Sequence, residues 1–403
     1  MHRVLTHIIE QHAEEAAFLW LLRDRVVDAP HYTRRHLASH DQRIEAHLDG
    51  LVIAGEVASE IARALLADHQ ESGELFVLTA LALETDASSR LEHAIEVARG
   101  SPDCRRGLFS ALGWVPAERV GSRVAGWLHA ADPFLRLTGL VACSLHRVDP
   151  GQRLNKLVDD VEPEVSARAC RLAAEVGRAD LRAAVAAHEG ETPWSAWAGA
   201  ILGDDAAAHR AAGQALQHEP SLEAAVRRLE MAVATTWIRA LNGDPRQRRQ
   251  VIRALGILGD PVAVPWLLAR MAEPEHARLA GESFTLITGA YLDDERLEAT
   301  EPPSSASMPG DDPDEEIVER NSDEDLLWPD LERASAWWQE HESRFAIGRR
   351  HLLGRPIDSE SCDEAWRRGY QRQRRAAAYE RAVASPGGHL DNWRARIRRH
   401  QSA

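Results

Sequence analysis

Apolar residues recur at intervals of three and four from the first turns of this chain onward, as at Ile8 and Leu19. Such spacing gathers apolar side chains on one face of an α-helix. Thr33 fits the N-cap of a second helix, because its hydroxyl can accept a backbone N–H in the first turn. The same pattern predicts further helices at residues 56–68, 73–84 and 88–99, so residues 1–101 form an N-terminal helical domain.

Between residues 102 and 292 the pattern repeats, and prolines mark its register. They stand at intervals of 25 to 31 residues, at Pro102, Pro133, Pro163, Pro193, Pro220, Pro245 and Pro274. Most follow an acidic residue. Proline fits the first turn of a helix, and an acid there favours the positive end of the helix dipole. Each interval holds two apolar-periodic segments, which is typical of HEAT-like repeats.

The clearest repeat runs from residue 251 to 271, and a turn at Gly259-Asp260-Pro261 separates its two predicted helices. We therefore predict an all-α fold, an α-solenoid of HEAT-like helix pairs with helical N-terminal and C-terminal caps. The predicted organisation has four segments. An N-terminal helical domain (1–101) precedes a repeat array (102–292). An acidic Pro/Ser-rich loop (293–332) and a Trp/Arg-rich helical tail (333–403) follow.

The loop is the most acidic stretch of the chain. Nine acids and one base lie between Asp311 and Asp325. A solvated linker is one interpretation, and a partner-facing electrostatic patch is the other. An EF-hand loop beginning at Asp312 would need Gly and Glu where Ile317 and Asp323 stand, so calcium binding is not predicted. The candidate partner-binding acids are Asp311, Asp312, Asp314, Glu315 and Glu316.

The tail combines aromatic and basic residues. Five of the twelve tryptophans lie between residues 326 and 403, and ten arginines but two acids lie between residues 367 and 403. Helices are predicted at 331–344 and 362–384, with breaks at Arg355-Pro356 and at Pro386-Gly387-Gly388. Trp337 and Trp338 are further candidate partner-binding residues, since Trp and Arg dominate binding hot spots. The same pair can also seal the end of the repeat array, and the two roles are compatible.

Composition limits the function further. The formal charge of −15 disfavours nonspecific nucleic-acid binding. The single lysine, Lys156, follows no glycine-rich loop, so no P-loop is present. Four scattered cysteines indicate a reducing compartment. The N-terminus lacks the apolar region of a signal peptide, and no apolar run approaches membrane-spanning length. We therefore expect a cytoplasmic protein without a membrane span.

Histidines provide the alternative of a metal site. His36 and His40 are four residues apart, which places them on one helical face. His188-Glu189 and His218-Glu219 stand thirty residues apart, at matching repeat positions. However, Gly190 and Pro220 follow these pairs directly and place them at helix ends, unlike the mid-helix pairs of HEAT-repeat hydroxylases. We predict no metal, no cofactor and no catalytic residue.

Three stretches together resemble a known family. The first stretch is residues 8–55, which begins IIEQHAEEAAFLWLLRDR. The second is RALGILGDPVAVPWLLARM at 253–271. The third is residues 325–383, which begins DLLWPDLERASAWWQEHESRF. The chain is similar to bacterial HEAT-like repeat proteins encoded beside type VI secretion effectors of the phospholipase D type, often as tandem paralogues. That resemblance implies a non-catalytic immunity protein that binds the cognate effector. The alternatives are a general protein–protein adaptor or, third, a HEAT-repeat lyase or hydroxylase.

The acidic loop yields a first testable prediction. If these acids steer a basic effector, changing Asp311, Asp312, Asp314, Glu315 and Glu316 to Asn or Gln should slow association at low salt. Exposed charges act mainly on the association rate and are screened over about 8 Å at physiological salt, so dissociation and thermal stability should change little. Association kinetics with the neighbouring effector at low and high salt test this. Equal association rates at low salt would leave the acids as a solvated linker.

Overall fold

The computed structural model describes residues 5–188, 190, 192–300 and 323–398. The chain divides into two compact units. The N-terminal unit comprises Met1–Ala198 and Gly387–Ala403, and the C-terminal unit is Gly199–Pro386. This division differs from the four segments that composition suggests, because the last residues of the chain pack with its first helices.

The described residues of the first part of the chain form helices joined by short connections. Its α-helices are α1 (Thr6–Val26), α2 (Arg34–Ala54), α3 (Glu56–His69), α4 (Ser72–Glu84), α5 (Ser88–Gly100), α6 (Arg105–Trp114), α7 (Ala117–Trp127), α8 (Pro133–His146), α9 (Gln152–Val158), α10 (Pro163–Glu175), α11 (Arg182–Ala187) and α12 (Pro193–Ile201). The three helices predicted between residues 56 and 99 correspond to α3, α4 and α5. Thr33 caps α2 as predicted, in a capping box with His36.

The remainder adds nine α-helices and a short hairpin among the residues described. These are α13 (Asp205–Gln214), α14 (Glu219–Arg228), α15 (Met231–Leu241), α16 (Arg248–Leu258), α17 (Val264–Met271), α18 (Pro274–Thr288), α19 (Leu331–His341), β1 (His351–Leu352), β2 (Arg355–Pro356), α20 (Ser359–Arg368) and α21 (Gln371–Ala384). The all-α prediction is confirmed.

Within each unit the helices pack as two layers of pairs. In the N-terminal unit, α4, α6, α8 and α10 stack in sequence, while α5, α7 and α9 pack against α4, α8 and α10. In the C-terminal unit, α14, α16 and α18 stack, and α13, α15 and α17 cover them. The described part of 102–292 contains no strand. This arrangement is consistent with the predicted HEAT-like helix pairs.

The prolines act as the sequence predicts. Pro133, Pro163, Pro193 and Pro274 are first residues of α-helices, and Pro102 and Pro245 begin short 3-10 helices. The acid before the proline can also cap: Asp132 Oδ1 accepts the Phe134 N–H at 2.9 Å. Glu219 differs, because it already lies inside α14 and His218 occupies the N-cap.

One local prediction in the tail was wrong. The predicted helix 362–384 is two helices, α20 and α21, because the chain turns at Gly369, where a Cβ atom would lie 2.5 Å from the Ala365 carbonyl oxygen. Arg355 and Pro356 break the helical pattern as predicted, and they form strand β2, which pairs antiparallel with β1. In addition, α19 ends at His341 and a 3-10 turn, Glu342–Arg344, completes the helix predicted to reach residue 344.

Part of the tail covers helix ends in the C-terminal unit. The last carbonyls of a helix lack partners within that helix. The backbone N–H of His351 donates to Gly259 O at 2.8 Å, just beyond α16. The backbone N–H groups of Leu353 and Gly354 donate to the carbonyls of Leu286 and Ile287, at the end of α18. The hairpin therefore satisfies carbonyls that would otherwise require water.

The chain's last described residues do the same in the N-terminal unit. Three donors reach carbonyls at the ends of α10, α8 and α6: Leu390 N to Glu175 O at 3.1 Å, Asn392 Nδ2 to Leu145 O at 3.0 Å and Arg396 Nη1 to Trp114 O at 3.0 Å. Because the acceptors come in reverse chain order, this segment runs back along the stacked helices.

Gly259 permits the close approach of the hairpin, which yields a stability prediction. Its φ of +74° favours glycine, and a Cβ atom would lie 2.3 Å from the His351 carbonyl oxygen. Gly259→Ala should therefore lower the free energy of unfolding by about 1–3 kcal/mol, or more if the hairpin detaches. Urea denaturation measures this.

Gly121→Ala is the matched control. Gly121 lies inside α7, and a Cβ atom there would have nothing within 4 Å. Alanine in a helix interior is more favourable than glycine by about 0.5–1 kcal/mol, so this variant should match or exceed the wild-type stability. A Gly259→Ala protein as stable as Gly121→Ala would contradict the packing described.

Candidate partner-binding surface

The candidate acids Asp311, Asp312, Asp314, Glu315 and Glu316 lie outside the described residues. The structure does describe both flanks of that segment, residues 293–300 and 323–330. We call these the outgoing flank and the returning flank.

The two flanks pair with each other. Glu298 and Pro329 form an antiparallel bridge. The Ala299 N–H donates to Trp328 O at 2.8 Å, and the Asp330 N–H donates to Leu297 O at 2.7 Å. The side chain of Leu297 is buried against α18 and α19 in the core of the unit. The two flanks thus form a hydrogen-bonded base on the C-terminal unit.

Arginines from the repeat helices hold the returning flank. Arg249 on α16 donates two hydrogen bonds to the Asp323 carboxylate, at 2.6 and 3.0 Å. Asp323 is buried, and this hydrogen bond raises the pKa of Arg249. Arg278 on α18 donates to the carbonyls of Asp323 and Glu324, and its guanidinium lies 4.3 Å from the ring centroid of Trp328. One residue of the predicted solvated run is therefore a buried anchor.

Exposed carboxylates surround this base. They come from both flanks, at Asp293, Asp294, Glu295, Glu298, Glu324 and Asp325. Burial raises the pKa of Tyr291 to about 12, and Tyr370, Asp294 and Asp293 contribute in the same direction. We name these six residues the acidic surface. Sequence reasoning missed its outgoing half, although the run Asp293-Asp294-Glu295 directly after the array is a visible signal.

Trp337 and Trp338 lie on α19, beside this base. Trp338 is buried, and its ring lies 5.3 Å from that of Phe345. Trp337 is half-buried and meets Phe284 of α18 edge to face, at 5.7 Å. Both rings attach α19 to the core formed by α16, α17 and α18. Their contact with a partner stays a prediction.

Arginines of the basic tail form ion pairs within the protein, which the sequence did not reveal. Arg375 on α21 contacts Glu219 and Glu223 of α14, at 2.9 and 3.1 Å. Arg227, almost fully buried, lies between Glu223 and Glu380 of α21. Burial lowers the pKa of Arg227, but these two carboxylates outweigh it and raise that pKa overall. The tail's positive charge thus stabilises its own packing.

The histidines have ordinary partners. His36 belongs to the cap of α2, and the Tyr32 hydroxyl lies 3.4 Å from His40 Nε2. His188 Nε2 lies 2.9 Å from Asp159 Oδ1, and His218 Nδ1 lies 2.7 Å from Ser221 Oγ. Glu189 is outside the described residues. Across the described ranges, no three His, Cys, Asp or Glu side chains form a group suited to a metal ion.

No protein-family model, no curated protein and no solved structure matches this chain. The family resemblance of the sequence therefore stays a prediction. Among the described residues, no helix has both the length and the apolar character that crossing a membrane requires.

The anchored base yields a third prediction. Arg249→Met leaves the buried Asp323 carboxylate without its bidentate partner, so we expect a loss of about 1–3 kcal/mol in the stability of this region. The Ala299 amide, which donates across the base, should lose hydrogen-exchange protection at the same time.

Asp325→Asn serves as the control, because Asp325 is exposed on the same flank. It should leave both stability and exchange unchanged. Adding Asp323→Asn to Arg249→Met should recover part of the loss, because the uncompensated charge is then gone. Unchanged exchange at Ala299 in Arg249→Met would show that the ion pair does not hold the base.

Proposed function

We propose that this chain is a non-catalytic immunity protein that binds and neutralises a phospholipase effector of type VI secretion, of the phospholipase D type. The family resemblance supplies the identity of the partner. The observation that supports the proposal most directly is the acidic surface around a hydrogen-bonded base. It gives the chain an anchored, acid-rich region that suits contact with a basic protein surface.

The proposed mechanism is steric and electrostatic. An enzyme that acts on phospholipid phosphates needs positive charge at its active-site mouth. The acidic surface attracts that charge over a distance and speeds encounter. The stacked helices of the C-terminal unit then hold the two proteins in register, and the covered mouth no longer admits lipid. Exposed aromatic area on Trp337, next to the base, adds apolar contact to this interface.

The described fold also fits the cellular setting of the proposal. The four cysteines are free and buried, which suits a reducing compartment. Burial raises the pKa of the Cys143 thiol to about 11, so that thiol packs as a small apolar group. We place the protein in the cytoplasm, where it binds effector before export.

A general adaptor is the second candidate. Stacked helix pairs serve many unrelated interactions, so the fold alone favours neither. The same acidic surface serves an adaptor that binds another basic protein. The identity of the bound partner separates the two proposals.

Association kinetics test the immunity proposal. We expect the neighbouring effector to bind the wild-type chain and lose lipase activity in the complex. The triple variant Asp293→Asn, Asp294→Asn, Glu295→Gln should associate roughly three- to tenfold more slowly at low salt, with little change in dissociation. At high salt the two proteins should associate at similar rates, because the charges are screened.

A matched control removes three exposed acids elsewhere. Glu10, Glu14 and Glu60 lie on α1 and α3, so changing them to Gln alters net charge equally without touching the acidic surface. This control should associate at nearly the wild-type rate. If both variants associate equally slowly, net charge explains the effect and the acidic surface has no special role. An effector that fails to bind would leave the adaptor as the better proposal.

A further inference from the structure

The last described residues, 389–398, form no helix or strand, yet they are held along their whole length. We call them the C-terminal arm. Three of its groups cap α6, α8 and α10, as described above. The rest of its contacts are to α1, to α2, to the turn between them, and to Trp114 and Arg147 at the ends of α6 and α8, all within the N-terminal unit. The arm therefore lies in a groove of the N-terminal unit as a bound peptide does, with a turn at residues 393–395.

Acidic side chains line the groove where the arm passes α1. Asp28 accepts the indole N–H of Trp393 at 2.9 Å and also forms an ion pair with Arg394. Asp24 lies 3.5 Å from the same guanidinium. Arg394 is thus recognised by two carboxylates, and Trp393 by a hydrogen bond that requires an indole or a similar donor.

Arg396 occupies a second subsite. Its guanidinium lies 4.6 Å from the ring centroid of Trp114 and 2.6 Å from the carboxylate of Glu45 on α2. It also donates to the carbonyl of Trp114. An aromatic face, a carboxylate and a carbonyl together suit an arginine far better than a lysine, because only the planar guanidinium can stack and donate at once.

The arm ends in an apolar subsite. Ile397 is buried in a cluster with Val27, Leu37 and Ala38. Its backbone N–H donates to Asp41 Oδ2 at 2.7 Å. Asp41 is itself fixed by a buried ion pair with Arg23, at 2.6 Å. The groove therefore contacts both side chains and backbone of the arm sequence Trp-Arg-Ala-Arg-Ile.

An exposed hinge precedes the arm. Ser385, Pro386 and Gly387 are exposed, and the boundary between the two compact units falls between Pro386 and Gly387. Gly387 has a φ of +96°, a conformation that favours glycine. The C-terminal unit thus ends just before the arm starts. A change of dihedral angles at this hinge redirects the arm without disturbing any helix.

We propose that this groove is a peptide-recognition site and that its partner is the C-terminal arm of a second copy of this chain. Two copies then exchange arms reciprocally and form a symmetric dimer. Each arm makes in trans the same contacts that it makes in cis, so the exchange creates no new interface chemistry. The concentration of protein decides between the two forms, because the cis arm has the advantage of a high effective concentration.

The chemistry of the arm argues for this occupant. Each subsite is matched by a residue of the arm: an indole, two arginines and an isoleucine at fixed spacing. A peptide of unrelated sequence would lack the guanidinium groups of Arg394 and Arg396, which contact Asp28 and Glu45. A second copy supplies the complete set, and it is present wherever the protein is made.

A charge-reversal pair tests arm exchange on the full chain. In Arg394→Glu the arm carries a negative charge that its own groove, with Asp28, repels. In Asp28→Arg the groove carries a positive charge that repels Arg394 of its own arm. Mixed together, each arm fits the other chain's groove. We expect light scattering after size exclusion to give twice the monomer mass for the mixture, while each variant alone remains monomeric. The double variant Asp28→Arg/Arg394→Glu, with the pair restored in one chain, should behave as wild type does at the same concentration.

A peptide measurement keeps the test decisive if a variant is poorly folded. A labelled synthetic peptide of residues 389–398 should bind full-length Arg394→Glu, whose groove is intact, at least tenfold more tightly than a peptide carrying the same Arg-to-Glu change. Binding of this peptide shows that the groove of Arg394→Glu is folded. If the peptide binds but the mixture of charge-reversed chains stays at monomer mass, arm exchange is overturned. If neither peptide is preferred, the recognition site itself is overturned.

Discussion

Capping of helix C-terminal carbonyls by the returning tail is the interaction on which the described arrangement depends. Every helix ends with carbonyls that have no partner inside the helix. In this protein the hairpin residue His351 serves α16, and Leu390, Asn392 and Arg396 serve α10, α8 and α6. Stacked helices expose these carbonyls in a row along one edge. A single segment that follows the edge can therefore satisfy several helices in succession.

Buried charge is the second constraint, and arginine carries it. Glu175, at the end of α10, is buried, and burial alone would raise its pKa. The charges of Arg168, Arg147 and Arg171 and the Ser144 hydroxyl instead hold that pKa far below its usual range. The contribution of Glu175 to folding stability is thus present above the pKa of an unfolded Glu and is lost as pH falls below it. The acid-rich chain places its arginines against buried acids on neighbouring helices.

The sequence predicted the parts of the fold that local chemistry determines. Pro133 and Asp132 mark a helix start because both act within one turn, and Thr33 caps α2 for the same reason. The sequence did not predict the break at Gly369, since the residues around it are good helix formers. Nor did it predict Arg249 with Asp323, or Trp393 with Asp28. Those pairs depend on which distant helices meet, and no local period encodes that. The acidic surface was predicted in part, because charge density is visible in sequence and a hydrogen-bonded base is not.

The arm also bears on how the protein is synthesised. The N-terminal unit combines helices that precede the C-terminal unit in the chain with residues that follow it. Its groove stays unfilled while the whole C-terminal unit emerges from the ribosome, so Trp114 and the subsite of Ile397 remain open to solvent until residues 389–398 are translated. The helices of the repeat array can fold as they appear, but closure of the first unit waits for the arm. Chains released early, by truncation or ribosome stalling, would carry an open groove that quality-control factors can recognise.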